Sequence, residues 1–313
     1  MNDGTKGETI GFIGVGLMGA GMAANILSAG YPVNVLGNRN RKPVDDLVSR
    51  GAVEMQSAAE IAKASSVIFM CLPGSPQVEA VLNGTDGIFS ALTEGTVIVD
   101  CSTADPNSTL RNAELAVAKG AHYVDAPLGR TPKEAWAGTL DTMVGADQAV
   151  FDRIKPLLDV WAGKVVHIGA VGDGHKMKLL NNFLSLGYGA LYAEALALGA
   201  KVGISPQTFD SVIRGSRMDC GFYQTYMGHT IEGDRNSHQF TLTNALKDLG
   251  YLEAMADAAG LVNPVGNAAK NTFAAAVAGG ANGPDDYVPH LPQHIGRLNG
   301  TDVPVSKPAD GDE

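Results

Sequence analysis

Lys178 and Asn182 are the first residues that suggest chemistry. They stand four apart in Gly172-Asp173-Gly174-His175-Lys176-Met177-Lys178-Leu179-Leu180-Asn181-Asn182. In a helix, positions i and i+4 share one face. The neighbours Met177, Leu179, Leu180, Phe183 and Leu184 are apolar. A lysine with Asn181 and Asn182 in that setting needs partners, because an unpaired polar group is costly to bury. A substrate supplies them: an ammonium can give a proton to an alkoxide formed by hydride delivery and take it back in the reverse oxidation. Asn182 can bond the same oxygen and hold the lysine. The competing reading sends Lys178 to solvent and the amides to backbone. Lys176 offers the same chemistry, but it points about 200° away around the helix.

A hydride donor has its own signature. Gly14-Val15-Gly16-Leu17-Met18-Gly19 is a GxGxxG that follows an apolar strand and opens a helix, the context such a turn requires. Gly14 permits the tight turn, Gly16 admits a pyrophosphate to the backbone, and Gly19 lets helix and strand pack closely. The N–H groups of Leu17 and Met18 belong to the helix start, where phosphates bind. An acid at the end of the next strand would hold a ribose hydroxyl and repel a 2′-phosphate. The chain reads Leu36-Gly37-Asn38-Arg39-Asn40-Arg41-Lys42, with no acid before Asp45. Arg39 and Arg41 can grip a phosphate bidentately, beside Asn38. The reading is NADP(H), with NAD(H) and an ordinary basic turn as alternatives. Leu72, Pro73 and Thr103 lie at the carboxyl edge of the expected sheet and are candidate walls for ribose and nicotinamide. Val78 is counted with the cofactor residues, and Ser102 with the substrate residues.

These residues need elements to place them. Apolar runs at 9–13, 33–36, 67–72, 96–99, 122–124 and 164–168 read as strands, with helical patterns between them. The run 67–72, VIFMCL, is continuous, the mark of a strand covered on both faces. Such alternation implies right-handed crossovers and a parallel sheet. Beyond the Gly-rich stretch 170–174, which resembles a hinge, the patterns are helical: 175–202, 206–213, 242–259 and 265–278. Gly187, Gly189 and Gly199 in the long helix suggest close helix contacts. The expected fold is α/β. A doubly wound Rossmann domain at 1–170 is joined by the long interdomain helix to an all-helical domain at 171–298, with a disordered tail at 299–313.

The chain has 313 residues, of which 45% are hydrophobic and 18% charged, with a formal net charge of −10. This composition is globular, and the charge argues against a general nucleic-acid binder. Cys71, Cys101 and Cys220 form no CxxC or metal-like spacing, which fits reduced thiols. The first eight residues are polar, and no run approaches about 18 apolar residues. A cytoplasmic protein with no membrane partner is expected.

The chain resembles the β-hydroxyacid dehydrogenase family, which includes 3-hydroxyisobutyrate dehydrogenases, tartronate semialdehyde reductases and sulfolactaldehyde reductases. Four matches carry the resemblance over residues 8–297: GFIGVGLMGAGMAANI, Asp125-Ala126-Pro127, GDGHKMKLLNN, and Leu246-Lys247-Asp248-Leu249. It implies Lys178 as the catalytic residue, Asn182 as a substrate ligand, Lys247 near the nicotinamide, Phe240 in the substrate pocket, and a homodimer or homotetramer. Most members follow Asp-Ala-Pro-Val with Ser-Gly-Gly, whereas this chain has Leu128-Gly129-Arg130-Thr131. The Gly-Arg-Thr form is similar to that of sulfolactaldehyde reductases. A guanidinium and a hydroxyl suit a sulfonate, while pairing of Arg130 with Glu134 is the alternative. That subfamily carries an Asp at the end of the second strand, so the cofactor and substrate readings pull apart here.

The expected reaction is therefore hydride transfer between NADP(H) and a small 3-hydroxy acid or its aldehyde acid. Sulfolactaldehyde is one candidate; succinic, tartronate and methylmalonate semialdehydes are others. Imine reductases on the same scaffold replace the lysine with Asp or Tyr, and non-enzymatic relatives lose it, so Lys178 argues against both. His290 and His294 are four apart, but Pro292 between them disfavours a regular helix and no further ligand completes a metal set. His229 and His238 read as loop residues.

Overall fold

A computed structural model describes residues 7–307. The chain divides into two compact units, Met1–Lys178 and Leu179–Glu313. The division falls inside the long helix rather than at the glycine-rich stretch before it.

The first unit begins β1 (Ile10–Ile13), α1 (Gly19–Ser28), β2 (Val33–Leu36), α2 (Lys42–Ser49), β3 (Val53–Met55), α3 (Ala58–Ala64), β4 (Val67–Met70) and α4 (Ser75–Asn83). It continues with β5 (Val97–Asp100), α5 (Pro106–Ala118), β6 (His122–Asp125), β7 (Leu128–Gly129), α6 (Pro132–Ala137), β8 (Leu140–Gly145), α7 (Gln148–Leu158) and β9 (Ala162–Gly169). The strands form one sheet in the order β3-β2-β1-β4-β5-β6-β8-β7, with β9 beside β8. Strands β1 to β6 pair in parallel, but β8 runs antiparallel to β6 and β7. The sheet is thus mixed and mostly parallel. The sequence reading missed β3, β7 and β8, which are short or alternate weakly.

Period-two alternation explains the central strands. Ile10, Phe12, Val67, Phe69, Val97 and Val99 enter one buried cluster, with Trp161. Ile13, Ile68, Met70 and Ile98 enter another, with Tyr123. Both faces are covered, so β1 and β4 carry no polar side chain and β5 is apolar up to Asp100.

The long helix α8 (Asp173–Lys201) leads into α9 (Pro206–Ile213), α10 (Gly221–Glu232), α11 (Leu242–Ala258), α12 (Pro264–Ala278) and α13 (Leu291–Leu298). Side chains cap these helices locally: Ser205, Thr241 and Asn263 accept N–H bonds from the first turns of α9, α11 and α12. The second unit's core joins Leu186, Ala190 and Ala193 of α8 to Tyr223, Tyr226, Phe273 and Leu291. Helix α8 is long and apolar enough to cross a membrane by length and composition, although 33% of its most apolar window is buried. Gly189 lies in contact with Tyr226, Val288 and Phe273, but a side chain at Gly187 would meet nothing. Close packing therefore accounts for one of these glycines and not the other.

Two expectations are corrected. Residues 301–307 are placed against the helices: Val303 is buried, and the Ser306 N–H donates to the Thr230 carbonyl at 3.0 Å. The expected disorder does not hold there, and residues 308–313 lie outside the described residues. Pro292 does not interrupt a helix either. It sits in the first turn of α13, where its missing N–H costs nothing.

Candidate active site

In the turn between β1 and α1, each glycine meets a different physical demand. Gly14 has φ +94°, and a Cβ there would run into the Cys71 carbonyl. A Cβ on Gly19 would meet the Gly14 carbonyl and the Phe12 ring. Gly16 faces open space, the side from which a pyrophosphate reaches the backbone. The first helical bond runs from the Ala20 N–H to the Gly16 carbonyl at 3.1 Å, so the N–H groups of Leu17 and Met18 precede it. Leu17 is 67% exposed. This cradle fits a dinucleotide.

The end of β2 differs from its sequence reading. Arg41 does not reach outward for a phosphate. Its guanidinium is held bidentately by Glu54 of β3, at 2.6 and 2.8 Å, and by Asp45 at 3.0 Å. These bonds raise the Arg41 pKa and hold the Glu54 carboxyl below its usual range. A Cβ on Gly37 would touch both side chains. An acid is therefore present beside Gly37 at the end of β2, delivered by the neighbouring strand and already paired with Arg41. Arg39 and Asn38 are exposed, and Arg39 forms no ion pair among the described residues.

At the carboxyl edges of β4 and β5, Ser102 is 2% exposed, and its hydroxyl accepts the Leu72 N–H at 3.0 Å. Its own N–H donates to Asp100, which also accepts the Tyr123 hydroxyl at 3.0 Å. Ser102 thus fixes the Leu72-Pro73 loop. Pro73 is exposed and Thr103 half-buried. Val78 is 1% exposed within the core cluster, so it supports the loop from beneath and does not face a ligand. Cys71 is half-buried, and desolvation pushes its thiol up to about 12. All three cysteines are free.

The start of α8 is anchored by Asp125, which accepts the N–H groups of Gly172 at 2.6 Å and His175 at 2.7 Å. Burial still pushes this carboxyl above its ordinary range. The carboxylate satisfies helix-start donors and opposes the positive end of the helix. Gly174 allows the approach, since a Cβ there would meet the Met143 and Asp125 carbonyls. His175 is fully buried. It receives the Thr109 hydroxyl on Nδ1 at 2.7 Å and donates from Nε2 to the Ser102 carbonyl at 3.0 Å. Both ring nitrogens are spent on aligning α8.

The segment Gly129-Arg130-Thr131 leaves β7 for α6. Arg130 has φ +77° and is the one non-glycine residue with positive φ among the described residues. Its Nε pairs with Asp141 at 3.0 Å, not with Glu134. Glu134 accepts the Thr131 hydroxyl at 2.5 Å and the Thr131 N–H at 3.1 Å, closing a capping box on α6. Gly129 lies opposite Asp141 on β8, whose Cβ would stand 3.3 Å from an added one. The two side chains read as substrate ligands are thus also structural.

On α8, Lys178 is half-buried, Asn181 exposed and Asn182 buried. Lys176 pairs with Asp173 at 2.9 Å. The Asn182 amide donates to Asp248 at 2.7 Å, and Lys247 pairs with the other Asp248 oxygen at 2.9 Å. Lys247 also lies 5.1 Å from the centre of the Tyr251 ring. The carboxylate of Asp248 is 1% exposed. It orients both residues, a role missed in the sequence although the residue stood within the LKDL match. Phe240 packs at the edge of the helical core, beside His238. His229 lies within α10 and is buried, not in a loop. No group of three His, Cys, Asp or Glu residues able to hold a metal occurs among the described residues.

Residues 9–169 match the NAD-binding domain of 6-phosphogluconate dehydrogenase. Residues 172–288 match the NAD-binding domain of NADP-dependent 3-hydroxyisobutyrate dehydrogenase. The 2-(hydroxymethyl)glutarate dehydrogenase of Eubacterium barkeri is 41% identical, covering 80% of this chain and 83% of the relative. The 3-sulfolactaldehyde reductase of Escherichia coli is 31% identical over 87% and 91%. The solved structure of Mycobacterium tuberculosis 3-hydroxyisobutyrate dehydrogenase with L-serine superposes with a TM-score of 0.79 at 30% identity, covering 90% and 98%. The dinucleotide cradle, the α8 lysine–asparagine face and these matches converge: the chain belongs to the β-hydroxyacid dehydrogenase family of NAD(P)-dependent oxidoreductases.

Proposed function

We propose that this enzyme interconverts a short aldehyde acid and its 3-hydroxy acid, using NADP(H) in preference to NAD(H). The observation that carries the reading is the α8 face on which Lys178 precedes Asn182 by one turn, with the Asn182 amide fixed by Asp248. When bound at the glycine turn, the nicotinamide cofactor supplies or accepts the hydride. Asn182 holds the substrate oxygen, and Lys178 gives that oxygen its proton in reduction and removes it in oxidation. Asp248 keeps Asn182 and Lys247 in one orientation, so little reorganisation is needed at the moment of reaction.

Exposed Arg39 at the end of β2 supports the choice of NADP(H), because Glu54 is neutralised by Arg41 and no longer repels a 2′-phosphate. The acid end of the substrate belongs at Gly129-Arg130-Thr131. The bond from Arg130 Nε to Asp141 leaves the terminal nitrogens of the guanidinium for an anion. A sulfonate of the sulfolactaldehyde kind is one candidate. A carboxylate is the second reading, favoured because the Thr131 hydroxyl is already given to Glu134 and fewer donors remain for a third oxygen.

We further propose a homodimer or homotetramer acting in the cytoplasm. Leu184, Tyr188, Leu191 and Leu198 form an exposed apolar stripe on α8, suited to a second copy of the chain.

The test is Lys178→Ala, assayed with NADH and with NADPH against sulfolactaldehyde and succinic, tartronate and methylmalonate semialdehydes. Turnover falls by about 10²–10⁴-fold while NADPH binding, read by fluorescence, is retained. Unchanged turnover removes Lys178 from the reaction, and equal rates with both cofactors remove the preference.

A further inference from the structure

A separate concavity of roughly 230 Å³ lies wholly within the second unit, among the end of α10, the chain following it, and α13. Arg235 and Arg297 line it, and both are exposed. Arg235 forms no ion pair among the described residues. Among the described residues, the Arg297 guanidinium donates only to His294 Nδ1, at 2.5 Å.

The histidines differ in what they have left to offer. His290 is saturated: Nδ1 accepts the Tyr287 N–H at 3.2 Å, and Nε2 donates to the Arg235 carbonyl at 3.1 Å. It thereby ties the Arg235 segment to the start of α13. His229 packs against it with ring centres 4.3 Å apart and is 9% exposed. Its Nδ1 is buried with no hydrogen-bond partner. Leaving such a nitrogen unsatisfied is costly. One carboxylate, Asp286, also lines the concavity. One of its oxygens accepts the Gly283 N–H at 2.8 Å, and two guanidiniums outweigh its charge.

We infer that this concavity binds a small oxyanion of the phosphate or sulfate class, gripped by the guanidiniums of Arg235 and Arg297 and met by the imidazole of His229. Guanidinium forks match the oxygens of such anions, and a charge-assisted bond from imidazole completes the set. Burial first, then the neighbouring His290 and Arg235, lower the His229 pKa to about 4, against a smaller opposing pull from Asp234. An arriving anion offsets the repulsion from Arg235. None of these groups belongs to the Lys178 or Gly129–Thr131 machinery, so the site is additional to the reaction. Arg235 lies on the segment leading to Phe240, so occupancy also braces that segment.

The test uses the full chain saturated with NADPH, so that phosphate cannot enter the dinucleotide turn. Inorganic phosphate and sulfate are titrated calorimetrically against chloride at matched ionic strength. Saturable binding of phosphate or sulfate is expected, with affinity reduced about tenfold or more in Arg235→Gln/Arg297→Gln and turnover unchanged. Nitrogen NMR of labelled histidines should show the His229 Nδ1 resonance moving on phosphate addition to the wild-type chain. The inference is overturned if chloride acts equally, if the double variant binds phosphate as before, or if the His229 signal stays fixed.

Discussion

Two turns of the first unit solve the same backbone problem in opposite ways. At Gly14 the chain enters positive φ with a glycine, and the space a side chain would need is filled by the Cys71 carbonyl. At Arg130 the chain enters the same region with a long charged residue, at a cost of roughly 1–2 kcal/mol. The first turn has no side chain at Gly14 because the Cys71 carbonyl fills the space, while Gly16 beside it leaves the backbone open to a ligand. The second keeps a side chain despite the strain, and it does so at the position proposed to face the substrate. The strained backbone and the Asp141 pair together hold Arg130 at that position.

The comparison can be broken most severely at Gly14. Gly14→Ala adds backbone strain and forces the Cys71 loop to move, so unfolding free energy falls by about 2–4 kcal/mol and NADPH affinity falls with it. Denaturant titration and cofactor fluorescence check both, and a variant of wild-type stability would show that the turn relaxes freely. Arg130→Gly separates strain from function. Relief of strain and the greater freedom of unfolded glycine nearly cancel, leaving stability within about 1 kcal/mol. KM for the aldehyde acid rises about tenfold or more with kcat less affected. An unmoved KM would reduce Arg130 to a partner of Asp141. The mildest change is Glu134→Gln, which weakens the α6 cap by about 0.5–1 kcal/mol. The bond from Thr131 holds the Glu134 carboxyl below its ordinary value of 4.5. Its contribution is therefore fully present above pH 4.5 and is lost as pH falls through the lowered folded value. The urea-midpoint gap between wild type and variant should close below pH 4.5, and a constant gap would assign the cap to Thr131 alone.

Much of this was legible before any fold was known. The continuous apolar run of β4, the span of α8 and the bounds of α9 follow from composition, periodicity and caps. The reading failed where an element was too short to show a period, as in β3 and β7. It also failed where a side chain's partner came from elsewhere. Arg41 looked available because Glu54 lies thirteen positions on, and only the pairing of β2 with β3 sets them side by side. Val78 looked like a cofactor residue, but α4 turns it into the core.

The residues alone determined which backbone could bend where, which runs would be strands or helices, and that a lysine and an asparagine share a face of α8. These follow from sterics and from repeats of two or 3.6 residues, which act over a few positions. The tertiary structure decided which polar groups are already committed. Asp125 reaches α8 from β6, and Asp248 reaches Asn182 across 66 positions. Hydrogen bonds are short and directional, so a partner is known only once distant segments have been brought within about 3 Å of one another.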